Sequence, residues 1–326
     1  MKFDKQEILE KIQLFYENYE KENSSEKLYL YKQSTFLLFF VIMTLKKVYK
    51  FKAMHRWLEN NSKEALEIGF TTSIPVRTTI SRRYKSLENH LPKLIEFISL
   101  SVNYIDEQFE TKHQFVDKSL YKAEGNLWHS KDQKNGTVPK GLRNIDKEAT
   151  WSKSAYHGWV FGYGLTVFCN KYSFPIFAEV ETASYSESKI IDRNEAKIFD
   201  SNINSLTGDD GYTNLLRIKN FWKKGIALFT SALKVKPTND FKTAYKELIK
   251  TKEVKKHFIE RKTSVEPFFD LSKKIIGQKG KLSLKGLKNV KTCLLLSVLI
   301  IQVAMIFNYF SEYPFREISN IVSIFT

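Results

Sequence analysis

Apolar residues in the first hundred positions recur three and four apart, with Ile8, Leu9, Ile12, Leu14 and Phe15 opening the series. That spacing predicts amphipathic helices, and glycine is almost absent from this stretch. Within it, residues 73–87 (SIPVRTTISRRYKSL) begin with a serine and a proline and continue as a basic helix. The pattern changes after residue 112. Residues 114–119 (QFVDKS) read as a short strand carrying one acid, followed by a loop over 131–146 rich in Lys, Asn and Gly. Residues 159–169 (WVFGYGLTVFC) and 174–180 (FPIFAEV) are aromatic and β-branched, and the four residues between them predict an antiparallel hairpin. A helix is predicted over 186–194, a strand over 204–207, a helix over 214–222 and a strand over 226–231 (IALFTS). Two more helices follow, over 240–250 and 263–276.

The order βββαβαβα, antiparallel at first and parallel later, predicts an α/β (α+β) fold. In particular it is the order of an RNase H-like mixed five-stranded sheet flanked by helices. We therefore expect an all-helical N-terminal region over 1–112, a catalytic domain over 113–310 and a C-terminal tail over 311–326. Two apolar runs need a separate account. Residues 37–45 (LLFFVIMTL) are far too short to span a membrane, and residues 293–307 (CLLLSVLIIQVAMIF) fall short of about 18 residues and contain Gln302. A buried core helix accounts for the second run better than a membrane anchor does.

Charge narrows the function. Lys and Arg outnumber Asp and Glu by 52 to 36, a formal net charge of +16, which points to a polyanionic partner, either nucleic acid or an anionic membrane surface. In residues 73–87, Arg77, Arg82, Arg83 and Lys85 are placed to contact phosphates as a recognition helix does, or to form a solvated basic face. Cys169 and Cys293 lie in apolar runs, so no disulfide framework is expected, and the six scattered histidines with no CxxC pair form no evident zinc site. The first residues have neither the basic head nor the apolar stretch of a signal peptide. A cytoplasmic, nucleoid-associated location fits these features.

Three acids stand at meaningful places. Asp117 lies inside the first predicted strand, Asp209 ends a later one in SLTGDDGYTN, and Glu266 lies in the helix KTSVEPFFDLSK. In the expected sheet the first strand is central and lies beside the strand of Asp209. Two carboxylates on adjacent strands and a third from a crossing helix make an oxygen-rich cage for Mg²⁺, with Mn²⁺ as a substitute. Two such ions about 4 Å apart promote in-line attack on a phosphodiester. Lys262, Glu266 and Lys273 share one helical stripe, while Pro267 predicts that the helix begins or kinks near Val265. Asp210 takes the turn role with Gly211.

Four ordered segments together resemble the insertion-sequence DDE transposases. Phe115-Val116-Asp117-Lys118-Ser119 is similar to that family's first-strand motif. Residues 146–151 (DKEATW) with 159–163 (WVFGY) resemble its "DxxAxW…GYK" block. Gly208-Asp209-Asp210-Gly211-Tyr212 resembles "DxGY", and Arg261 or Lys262 with Glu266 and Lys273 resembles "Y-R-E-K". The resemblance covers about half the chain, residues 113–276. It implies that Asp117, Asp209 and Glu266 bind metal and catalyse, that Lys273 and Lys262 or Arg261 contact DNA, and that Tyr212 packs beside the second acid. Gly164 and Val167 stand where the family has Lys and His. The implied activity is Mg²⁺-dependent cleavage at transposon ends and transfer of the 3′-hydroxyls to target DNA, by a homodimer and without a membrane. The alternatives are a non-catalytic DNA-binding protein derived from a transposase, using residues 77–85, and a membrane-anchored protein.

Overall fold

The computed structural model describes residues 5–23, 30–71, 73–154, 158–231, 240–277 and 280–325. Helices come first: α1 (Lys5–Asn23), α2 (Gln33–Leu45), α3 (Phe51–Asn60), α4 (Ser62–Glu67), α5 (Arg77–Ser86) and α6 (Leu91–Val102). Strand β1 (His113–Lys122) opens the sheet, and a short α7 (Ser130–Lys134) lies in the predicted loop. Next come β2 (Thr150–Ser154), β3 (Gly158–Cys169), β4 (Pro175–Thr182), α8 (Glu187–Asp200), β5 (Ser205–Thr207), α9 (Leu215–Lys223) and β6 (Ala227–Phe229). The chain continues with α10 (Asp240–Leu248), α11 (Lys252–Ile276), α12 (Leu287–Phe310) and α13 (Ser319–Phe325).

The fold is mixed α+β, with one open six-stranded sheet. β1 lies between β3, to which it is antiparallel, and β5, to which it is parallel, and β6 extends the parallel side. β4 pairs with the second half of β3, and β2 with its first half. The expected strands are present, and β2 is one more. Its sequence, TWSKS, has no apolar alternation to announce a strand, so its pairing with β3 decides the conformation.

Strand alternation assigns the two faces. Phe115 and Tyr121 of β1 point into a core shared with α1, α2, α5, α6, α11 and α12. Val116 points into a second core with Ile190 and Ile191 of α8, Ile218 and Phe221 of α9, and Tyr245 of α10. Helices on both faces explain why β3 is buried from Val160 to Cys169.

α12 is long and apolar enough to cross a membrane, yet 94% of its apolar window is buried inside the molecule. Its polar side chains also find internal partners. Gln302 donates to the carbonyls of Ile95 (2.8 Å) and Pro175 (2.9 Å), and Thr292 donates to that of Tyr84 (2.9 Å). Burial of that extent makes it a core helix here.

α11 departs from the expected start near residue 263. It runs unbroken from Lys252, with the Thr251 hydroxyl accepting from the Val254 amide, and passes through Pro267. Proline has no N–H for the carbonyl four residues back, that of Thr263. Arg316 takes that carbonyl instead at 3.1 Å, and its Nε also donates to the Tyr172 carbonyl at 3.1 Å.

Candidate active site

Asp117 stands in the middle of the central strand, on the face covered by α11, with its side chain 22% exposed. Its Oδ1 accepts from the Lys118 amide at 2.8 Å, and its Oδ2 accepts from Arg261 Nη1 at 2.8 Å. Lys118, one residue on, points to the opposite face. There its Nζ donates to the carbonyls of Ala183 (2.8 Å) and Tyr185 (2.7 Å), in the turn between β4 and α8. The stem of Lys118 crosses β3 at Gly164, where any side chain would collide with it. That gives a physical reason for glycine at a position where the resembled family carries lysine.

Asp209 follows β5 in extended backbone, and its Oδ1 accepts from the Gly211 amide at 2.8 Å. Asp209 is half-buried, whereas Asp210 is exposed and opens the short helical turn Asp210–Tyr212. Pairing of Phe115 with Thr207 in the β1–β5 ladder brings Asp209 beside Asp117. Tyr212 is fully buried and packs on Gly208, where a Cβ would stand 2.8 Å from its ring.

The sequence did not point to Glu187. It is the first residue of α8, and its carboxylate lies over Gly211 so closely that a Cβ there would meet it. Asp209 Oδ1 is 3.1 Å from that same point. Arg217 of α9, 3% exposed, holds the arrangement together. It donates to the Ser188 carbonyl and hydroxyl at 2.9 Å each, to the Tyr212 carbonyl at 3.2 Å, and to Asp192. One buried guanidinium thus ties the first turn of α8 to the loop after Asp209.

Burial and neighbouring charge set the electrostatics of this cluster. Burial pushes the Asp117 carboxyl up to about 6, with Arg261 pulling it down and Asp209 pushing it further up. Burial pushes Glu187 up to about 7, helped by repulsion from Asp209 and Asp117 and opposed by Lys118 and Arg261. Such a cluster is short of positive charge, and hard carboxylate oxygens fit a divalent ion that would supply it. Among the described residues no three His, Cys, Asp or Glu side chains are grouped closely enough to hold an ion unaided. An ion here would take one or two carboxylates and complete its shell with water or a substrate phosphate, which suits Mg²⁺.

Of the other predicted site residues, Arg261 joins Asp117 directly, while Glu266 and Lys262 stand exposed on α11. Glu266 lies five residues beyond Arg261, about 140° round the helix, so the two side chains leave α11 in different directions. Lys273 is half-buried beside Gly280, where a Cβ would stand 3.7 Å from its Cγ. The block at 146–163 has a structural role. Asp146 Oδ2 accepts from the Tyr163 hydroxyl at 2.7 Å and from the Gly286 amide at 3.0 Å, fastening the loop to the start of α12. Gly162 passes the Tyr121 carbonyl so closely that no side chain fits.

A second surface is basic. α5 packs through Tyr84 on Phe40 (4.9 Å between rings) and Phe51 (5.5 Å), leaving Arg77, Arg82 and Lys85 exposed. These three line two open cavities of about 510 and 610 Å³ together with Lys50, Lys52, Lys285 and Lys288, which the sequence pattern did not join to α5. Arg83 turns inward, donating to Gln33 Oε1 at 2.9 Å and lying over the Phe36 ring at 5.5 Å.

No protein-family model matches the chain, and no curated protein or solved structure does either.

Proposed function

We propose that the protein is a DNA transposase of the insertion-sequence DDE kind. In this reading it cuts phosphodiester bonds at the ends of a mobile element and joins the freed 3′-hydroxyls to target DNA. One observation carries the reading furthest: Asp117 in the central strand and Asp209 directly after the neighbouring parallel strand. The strand order β4-β3-β1-β5-β6 around them is one we read as RNase H-like.

Asp117 and Asp209 would hold the divalent ions, and Glu266 is the third acid of the sequence motif. Two Mg²⁺ ions, when bound, supply the charge that activates a water or 3′-hydroxyl and steadies the departing oxygen. Arg261 holds Asp117 in place through a donated hydrogen bond, and its remaining N–H groups would be the donors for a phosphate oxygen. Lys262 and Lys273 flank Glu266 along α11 and face the backbone of the element's end. Arg77, Arg82 and Lys85 grip duplex DNA from α5. Work at two ends calls for two copies of the chain. A second reading, a DNA-binding protein without catalysis, is favoured by the Asp117–Arg261 ion pair, which already neutralises one acid.

The test is Mg²⁺-dependent cleavage of a plasmid carrying the inverted repeats that flank the gene. Asp209→Asn is expected to lower cutting at least about a hundredfold while end binding persists, and Asp210→Asn to cut normally. Normal cutting by Asp209→Asn would falsify the assignment. Binding without any cutting by the unaltered chain would favour the second reading.

A further inference from the structure

Glu187 presents a carboxylate that nothing in the established packing uses. Among the described residues it has no hydrogen-bond or ion-pair partner. Lys118, the cation that acts on it most strongly, spends its ammonium on the carbonyls of Ala183 and Tyr185. Yet the carboxylate is held against Gly211, with Asp209 Oδ1 3.1 Å from the same point, so two acids face each other across a glycine. Like charges are not held together in a half-buried place without an energetic cost. The Arg217 clamp fixes both sides of the pair, so neither acid turns away easily.

A second observation, independent of the first, concerns a buried polar group under the influence of the same acids. The Tyr212 hydroxyl is completely buried and has no hydrogen-bond partner among the described residues, and the charges of Glu187, Asp117 and Asp209 act on it. A buried hydroxyl with an unused donor and acceptor calls for a water or an ion's water shell. Facing carboxylates are hard-oxygen donors that Mg²⁺ or Mn²⁺ would take as two protein ligands, with waters and a phosphate completing the shell.

We propose that Asp209 and Glu187 together form a divalent-cation site, with Glu187 rather than Glu266 supplying the carboxylate that partners Asp209. This rests on the phosphoryl-transfer reading above, but its test does not depend on DNA. Titration of the full-length chain with Mn²⁺ alone, followed by calorimetry and by the paramagnetic signal of free Mn²⁺, compares four proteins. Glu187→Gln is expected to weaken Mn²⁺ binding about tenfold or more, and Glu266→Gln to leave it within about twofold. Gly211→Ala, which pushes the intact Glu187 carboxylate aside, is expected to weaken it comparably, so the result does not hang on one variant's folding. Loss on Glu266→Gln but not on Glu187→Gln would overturn the inference and leave the transposase reading standing. No Mn²⁺ binding by the unaltered chain would also overturn it, and the plasmid assay would then decide the reading separately.

Discussion

Glu187 and Asp117 keep their protons to higher pH than free carboxylates do, and the direction of that shift predicts how stability changes with pH. A carboxyl raised to about 7 in the folded chain binds more protons than the unfolded chain does from its ordinary value up to that pH. Its burden is therefore absent at low pH and grows as pH rises through the window, reaching its full size above about 7. Glu187→Gln should accordingly leave the melting temperature unchanged at pH 4 and raise it by about 2 °C at pH 8. Partial solvent access keeps the gain near 1 kcal/mol, well below the full shift. A variant less stable at pH 8 than the parent would show that Glu187 is paired after all. Asp117 and Asp209 were legible in the sequence because each sits at a recognisable local feature, an acid inside an apolar strand and an Asp-x-Gly turn. Glu187 was not. Its neighbours read only as a helix start, and its partner Gly211 reaches it through the fold.

At the scale of elements, α11 shows how a distant side chain overrides a local signal. Pro267 predicts a helix start or kink near Val265, but the carbonyl it orphans is taken by Arg316, from beyond α12. The two residues should therefore be coupled. Arg316→Ala is expected to cost about 1–2 kcal/mol in urea unfolding, because the carbonyls of Thr263 and Tyr172 both lose a charged donor. In a Pro267→Ala background, where residue 267 regains an N–H for Thr263, the same change should cost about 1 kcal/mol less. Strict additivity would contradict this account of the unbroken helix. The strands were legible where aromatic and β-branched runs continue, as in β3 and β4. β2 was not, because TWSKS becomes a strand only when β3 offers its edge.

Over the whole molecule, the +16 charge is not spread evenly. Arg77, Arg82 and Lys85 of α5 share a face with Lys50 and Lys52 and with Lys285 and Lys288 from the far end of the chain. The sequence pattern did not connect those lysines with α5, since they join it only through packing. Arg82→Ala should reduce the slope of log affinity for duplex DNA against log salt by about 0.9. Arg83→Ala should leave that slope unchanged and cost about 1 kcal/mol of stability, because Arg83 is held by Gln33 and Phe36. Equal slope losses in both variants would contradict the placement of Arg83. The length of the apolar run 293–307 misled, since α12 continues to 24 residues and is long enough to cross a membrane; Gln302 was the better signal, and 94% burial of the apolar window agrees with it. The central claim, that the acids beside β1 and β5 transfer strands, is tested most directly by a joining assay. An end oligonucleotide with a labelled strand and a free 3′-hydroxyl is incubated with supercoiled plasmid, Mg²⁺ and protein. The account predicts label covalently joined to the plasmid with the unaltered chain and none with Asp117→Asn. Joining at an undiminished rate by Asp117→Asn would contradict it.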